Sequence, residues 1–176
     1  MLGQKALADN ITITDDPLHP DVLCEPFDWE GVPRQRTALV SKGAVLSAVY
    51  DLATARKAGL RSTGHGLPPE GAWFCEGPYP SHMVLTAGVS SRDDLISHVR
   101  RGLLVTSFHY TRPIDPKRAV ITGMTRNGTF LIENGRVVGM TPNLRFAVSA
   151  IDLLANVEEI GNDSCLAGDY NWMLAP

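Results

Sequence analysis

The chain has 176 residues, of which 44% are hydrophobic and 20% charged, as is typical of one globular domain rather than of a disordered or fibrous chain. Its formal net charge of -3 and isoelectric point near 5.9 argue against nucleic acid as the main partner. No run of about 18 apolar residues and no basic, apolar leader is found in it, so we expect a cytoplasmic protein that does not insert into membranes.

The first third of the chain predicts short strands joined by an irregular connection. Alternating apolar and polar residues indicate a strand at Ile11–Thr14. Residues 17–33 contain four prolines and read as a loop, in which we expect Phe27 and Trp29 to pack onto the domain. Two further strands, over residues 36–40 and 44–50, are predicted to form a hairpin around Gly43.

Helix signals follow at two places. Asp51 can cap a helix over Leu52–Ala58 that ends at Gly59. Residues 61–80 are rich in glycine and proline and predict a long loop, followed by a strand over residues 82–87. Ser90 and Ser91, followed by Asp93 and Asp94, predict a second helix that ends at Gly102.

The second half is predicted to contain more strands and one more helix. Leu103–Phe108 reads as a buried strand, and the pairs Asn127–Gly128 and Asn134–Gly135 predict two hairpin turns. Residues 119–140 would then form a three-stranded meander. Ser149, with Asp152 three residues later, predicts a helix that ends at Gly161.

These elements predict an α+β fold of mostly antiparallel strands, arranged as hairpins and a three-stranded meander, with about three short helices. A partly closed barrel is an alternative arrangement of the strands. We expect residues 1–176 to form a single domain.

A search for chemical motifs finds no complete active site. Zinc-binding pairs, a nucleophile elbow and phosphate-binding glycine loops are all absent from the sequence. The loop Arg61–Gly66 has hydroxyl groups, flexible backbone and one imidazole, so Ser62, Thr63, Gly64 and His65 are candidates for binding an extended peptide or an anion. The competing interpretation is a turn that merely reverses the chain.

The cysteines Cys24, Cys75 and Cys165 are odd in number and far apart, which favours reduced thiols. Cys165 is a weak candidate for a metal ligand or a reactive thiol, and a buried, unreactive thiol is the simpler interpretation. We therefore predict no catalytic residue and no cofactor in this chain.

Four ordered segments resemble the C-terminal domain of the TldD/PmbA family of metallopeptidase-related proteins. They are Phe-Asp-Trp-Glu-Gly-Val-Pro at 27–33, Ala-Arg-Lys-Ala-Gly-Leu-Arg-Ser-Thr-Gly-His at 55–65, Asp-Leu-Ile at 94–96 with Arg-Gly-Leu-Leu-Val at 101–105, and Phe-Leu-Ile-Glu-Asn-Gly at 130–135 with Ile-Gly-Asn at 160–162. The first two segments are more similar to the PmbA (TldE) type than to the TldD type.

The resemblance implies a role in proteolysis. In the family an N-terminal domain precedes this one, and we expect this chain to lack it. The TldD type carries a zinc motif in the preceding region and a cysteine in a Cys-Gly-Lys context, whereas Cys165 is followed by Leu-Ala-Gly. By resemblance, this chain would be a non-catalytic scaffold and peptide-binding domain of a PmbA-like subunit. Its partner would be a TldD-type subunit that holds the zinc, or further copies in a homo-oligomer, and the substrate an extended or unfolded peptide.

Two alternatives remain from the residues. One is a stand-alone module that binds a small ligand or a peptide. The other is a hydrolase that uses Cys165 or Cys75 with a histidine, but no sequence feature places a base near either thiol.

Overall fold

A computed structural model describes residues 2–22, 24–68 and 77–166 of the chain. Within these ranges the secondary structure comprises eight strands, three α-helices and one 3-10 turn. In chain order they are β1 (Ile13–Asp15), β2 (Thr37–Ser41), β3 (Ala44–Val45), α1 (Leu52–Ala58), β4 (Met83–Leu85), α2 (Arg92–His98), β5 (Arg101–Asp115), the 3-10 turn (Pro116–Arg118), β6 (Val120–Glu133), β7 (Arg136–Met140), β8 (Arg145–Ser149) and α3 (Ala150–Ala155).

The backbone forms two compact units. The first is built on Ile11–Thr86, and the second on Ala87–Asp163 together with Ala6–Asn10. Each unit has its own four-stranded antiparallel sheet, which confirms the predicted α+β class of mostly antiparallel strands. Neither sheet closes on itself within the described residues, so the barrel arrangement is not formed there. The prediction of a single domain stays a prediction.

The sheet of the first unit has the strand order β3-β2-β1-β4. The hairpin between β2 and β3 confirms the predicted turn, in which Lys42 and Gly43 both have positive φ. Helix α1 begins at the predicted cap Asp51, whose side chain accepts from the backbone N–H of Thr54, and it ends at Gly59 with φ 70°. Local hydrogen bonding fixed these ends, which is why the sequence could predict them.

In the second unit β6 is the central strand. The 15-residue strand β5 pairs along one side of β6, and β7 and β8 pair along the other side. The predicted meander over residues 119–140 is wrong in its bounds, because these residues form only two strands, β6 and β7. A three-stranded meander is present, but β5 supplies its first strand. The second Asn-Gly pair, at Asn134–Gly135, makes the predicted turn between β6 and β7.

The other predicted turn is wrong. Asn127 and Gly128 both have positive φ, at 61° and 135°, but they lie inside β6. The register against β5 shifts at this point, from Val105 opposite Thr129 to Ser107 opposite Arg126, as it does at a β-bulge. A bulge and a tight turn demand the same backbone conformation, so the Asn-Gly signal alone could not distinguish them.

Two helix ends in the second unit also differ from prediction. Helix α2 has the predicted capping box, in which Ser91 and Asp94 exchange hydrogen bonds, but it ends at His98 rather than Gly102. Helix α3 begins after the predicted cap Ser149 and ends at Ala155 rather than Gly161. In the described part of the chain no helix combines the length and hydropathy needed to cross a membrane.

Candidate functional site

A chain of hydrogen bonds connects the predicted loop to the sheet of the first unit. The His65 ring and Asp15 at the end of β1 are both 0% exposed. Nε2 of His65 lies 2.8 Å from Oδ2 of Asp15, and Nδ1 lies 2.8 Å from the hydroxyl of Thr63. Both ring nitrogens are therefore occupied by side chains of the same unit. The order hydroxyl, imidazole, carboxylate is the one found in nucleophilic catalysis.

The Thr63 hydroxyl, however, is used in holding the backbone. It accepts a hydrogen bond of 2.7 Å from the backbone N–H of Tyr50 and lies 3.1 Å from the carbonyl oxygen of the same residue. The hydroxyl of Ser62 also donates to that carbonyl, at 3.0 Å. These contacts fix the loop against the segment that leads into α1.

Asp15 is an ionised group in a buried position. Burial alone would raise the pKa of its carboxyl, but hydrogen bonds from His65 and from the backbone N–H of His82, with attraction to both imidazoles, outweigh this and hold the pKa below its usual value. The carboxylate thus links β1, the loop and the residue before β4. Removing it would leave buried donors without an acceptor.

Gly64 lets the loop lie directly against another backbone segment. Its φ is 73°, and a Cβ atom at this position would come within 2.5 Å of the carbonyl oxygen of Pro33. Gly66 is held from the other side, because its N–H donates to Oδ2 of Asp28 at 2.7 Å. Oδ1 of Asp28 accepts from the N–H groups of Glu30 and Val32, so this carboxylate also closes its own turn.

A second polar cluster surrounds Arg34, whose side chain is only 4% exposed. Its Nη2 donates to Oε2 of Glu25 at 2.8 Å, and Nε2 of His82 lies 3.9 Å from the same oxygen. Its Nε and Nη1 are buried and have no hydrogen-bond partner in the described residues. Such unsatisfied donors cost about 1–3 kcal/mol each, so the position of Arg34 is held by the surrounding fold.

The residues before this cluster form an open surface cavity. It has a volume of about 460 Å³ and is lined by seven residues, Cys24, Glu25, Pro26, Phe27, Asp28, Trp29 and Gly31. Phe27 is 62% exposed and Trp29 64% exposed, so the prediction that both aromatic rings pack onto the domain is wrong. Apolar composition predicted burial, but the short turn fixed by Asp28 displays both rings on its outside.

The described residues contain no group of three or more histidine, cysteine or acidic side chains that could hold a metal ion. Cys165 is a free, exposed thiol and would contribute one ligand at most. Cys75 lies outside the described residues. Zinc ligation by Cys165 and substrate contact by Ser62, Thr63, Gly64 and His65 stay predictions.

Comparison with known proteins identifies the family. The model of the PmbA/TldA metallopeptidase C-terminal domain matches residues 1–174, nearly the whole chain. The chain belongs to the PmbA/TldD family. The resemblance carried by the four sequence segments is thereby confirmed.

Individual members of the PmbA/TldD family are similar over most of this chain. Metalloprotease PmbA of Escherichia coli O157:H7 is 28% identical over 92% of it, and the TldD homolog of Buchnera aphidicola is 26% identical over 93%. The crystal structure of TldE from Thermococcus kodakarensis superposes with a TM-score of 0.78 at 30% identity, over 92% of this chain. The chain spans about a third of each protein's length, namely 33%, 33% and 36%.

The Ser62–His65 loop is recognisable in the sequence, but its partners are not. In the sequence, Asp15 is interpreted only as the residue that ends a strand, and His82 as an isolated histidine. A carboxylate at the end of a β-branched strand is a weak signal. Its bond to His65 joins residues 50 positions apart, which no local pattern encodes.

Proposed function

We propose that this chain is a non-catalytic, peptide-binding scaffold domain of a PmbA-like subunit in a zinc peptidase complex. In this proposal a TldD-type partner subunit holds the zinc, which activates water for peptide hydrolysis. This chain supplies surface that holds an extended peptide. The 30% identity to TldE and the 28% identity to a PmbA support the PmbA-like assignment. The free thiols of Cys24 and Cys165 support a cytoplasmic location.

The observation that carries the peptide-binding role is the outer edge of β5. This strand has 15 residues, and within the described residues its second edge pairs with no other strand. Four large apolar side chains on it are exposed: Leu103 (43%), Phe108 (61%), Tyr110 (71%) and Ile114 (53%). An unpaired strand edge binds other extended chains through main-chain hydrogen bonds. Binding of this type tolerates varied peptide sequences, as a peptidase of unfolded substrates requires.

The β5 edge can be tested with a fluorescent, uncharged peptide of alternating valine and threonine. We expect Leu103→Lys combined with Ile114→Lys to weaken binding about tenfold, because lysine on a strand edge blocks further pairing. The control is Val138→Lys, on the exposed strand β7, which should bind like the wild type. A peptide whose alternate amides are N-methylated should bind poorly to all variants. Equal affinity of the double variant and the control would contradict the β5 edge as the binding surface.

Membership of a complex is tested separately, by co-expression with a TldD-type subunit. We expect the two chains to co-purify, with zinc bound to the TldD-type chain and peptidase activity only in the mixture. Purification of each chain alone under these conditions would overturn the complex and leave the peptide-binding role to be judged by the first experiment.

A second candidate is a stand-alone module that binds a small ligand or a peptide. The cavity beside Phe27 and Trp29 favours it, since two exposed aromatic rings next to a carboxylate are suited to holding an organic group. Trp29 fluorescence would report binding there. A response of Trp29 to short peptides, unchanged by Leu103→Lys with Ile114→Lys, would favour this candidate over the β5 edge.

A further inference from the structure

One face of the sheet in the second unit carries arginines without acidic partners. Arg112 is on β5, Arg126 on β6 and Arg145 on β8, and all three are exposed. No carboxylate pairs with any of them in the described part of the chain. Residues 107–126 and 141–149 contain five basic residues and one acidic residue, in a chain whose net charge is -3. Positive charge is therefore concentrated in these two segments, although the whole chain has a net negative charge.

Strand register places the three arginines on the same face. Met124 lies opposite His109 on one side and opposite Arg145 on the other, while Arg112 lies opposite Thr122 and Arg126 opposite Ser107. Directly opposed residues of antiparallel strands point to the same face, as do residues two apart on one strand. Adjacent strands are about 4.8 Å apart, so the three guanidinium groups can converge on one ligand segment.

Contacts within this face orient two of its side chains. Nη1 of Arg126 donates to Nε2 of His109 at 2.6 Å. The guanidinium of Arg112 lies 5.7 Å from the centroid of the Tyr110 ring, within cation–π range. Tyr110 itself has φ 56°, a left-handed conformation that costs a non-glycine residue about 1–2 kcal/mol. This strain sits at an irregularity of β5, between His109 and Arg112, where it turns the Tyr110 ring, which is 71% exposed, toward solvent.

The geometry points to a binding surface for an acidic segment of another polypeptide, formed by His109, Tyr110, Arg112, Arg126 and Arg145. Guanidinium groups bind carboxylates through paired hydrogen bonds. Tyrosine, arginine and methionine are the residue types enriched in protein interfaces, and Met124, which is 40% exposed, lies between the charges. The acidic balance of the rest of the chain disfavours a long nucleic acid, whose phosphates would extend beyond the basic surface.

This inference goes beyond the proposed function. Pairing at the β5 edge uses the main chain and does not select a peptide sequence. The arginine face acts through side chains and selects acidic residues. Loss of acidic-peptide binding at the arginine face would therefore leave the β5-edge proposal intact. Loss of binding at the β5 edge would likewise leave the arginine face intact.

Fluorescence anisotropy with the full chain tests the arginine face. The probes are a peptide of alternating glutamate and threonine, its glutamine counterpart, and a single-stranded DNA of the same charge. We expect the glutamate peptide to bind more tightly than the other two probes, with an affinity that falls as salt rises. Arg126→Gln combined with Arg145→Gln should weaken that binding about tenfold or more, and Arg126→Glu should weaken it further.

The matched control is Arg136→Gln, an exposed arginine at the opposite end of the same sheet, on β7. It should retain the wild-type affinity, and circular dichroism should show that all variants are folded. Three results would overturn the inference: equal affinity for the glutamate and glutamine peptides, equal loss in the control and the double variant, or tighter binding of DNA than of the glutamate peptide. The last result would identify nucleic acid as the partner.

Discussion

The two units of this chain use polar side chains in opposite ways. In the first unit the side chains of Asp15 and His65 are fully buried and hydrogen-bonded to each other, and this contact helps to connect three segments of the chain. In the second unit Arg126 and His109 form a bond of similar length, 2.6 Å, on an exposed sheet face. A polar bond in the interior determines how segments are joined, because breaking it leaves buried groups unsatisfied. A similar hydrogen bond at the surface can exchange with water, so its groups remain available to a binding partner.

Apolar side chains differ between the two units in where they lie rather than in how many are exposed. Among the described residues the buried hydrophobic ones are Ile11, Val40 and Ala55 in the first unit and Ile132 in the second. All five residues of β7 and most of β5 are exposed. Apolar area left exposed on strands marks surfaces that bind other chains. Exposed apolar side chains of the second unit lie mainly along the strands β5 and β7, whereas Phe27 and Trp29 of the first unit are exposed in a loop.

The largest expected effect separates the two units directly. Asp15→Ala should lower the free energy of unfolding by about 3–5 kcal/mol, because it removes one member of a buried, hydrogen-bonded polar pair and leaves its partners unsatisfied. Arg126→Gln, which breaks the exposed pair, should change it by less than about 1 kcal/mol. Urea unfolding followed by circular dichroism measures both. Similar losses in the two variants would remove the distinction between the units.

A smaller effect is expected at Gly64. Gly64→Ala adds left-handed strain and a clash with the backbone of Pro33, and should cost about 2–4 kcal/mol. Gly31→Ala is a matched control, since Gly31 has nearly the same φ, 76°, but open space around its Cβ position. Strain alone should cost it about 1 kcal/mol. Equal melting temperatures for the two variants would show that the close approach at Gly64 does not constrain the loop.

The smallest expected effect is on the stability of the fold at acidic pH. Because the pKa of Asp15 is held below its ordinary value of about 3.9, the ionised carboxylate stabilises the fold fully above that pH. Its contribution is lost as the pH falls through the folded-state pKa. The stability difference between the wild type and Asp15→Asn should therefore shrink on acidification. Asp94, whose pKa is lowered by the hydrogen bond from Ser91, titrates in both proteins and cancels in the difference. A difference that stays constant from neutral to acidic pH would contradict this account of Asp15.

Much of the local structure could be predicted because it depends on residues close in sequence. The caps of α1 and α2 each join residues three positions apart, at Asp51 with Thr54 and at Ser91 with Asp94. The turn at Asn134–Gly135 requires only two residues with positive φ. The Ser62–His65 loop was also found as a distinct feature, but its surroundings were not.

By itself the sequence determined the element types, most helix starts and the family. These features depend on hydrogen bonds between residues close in sequence and on short sequence segments that occur in a fixed order. Only the tertiary structure decided the rest. The long strand β5 made Asn127–Gly128 a bulge rather than a turn, because it pairs with β6 on both sides of that point. Strand register brought Arg112, Arg126 and Arg145 to one face. Folding places His65 in hydrogen-bond contact with Asp15, 50 residues away in the sequence. Buried polar groups must bond to each other because they have lost their hydrogen bonds to water.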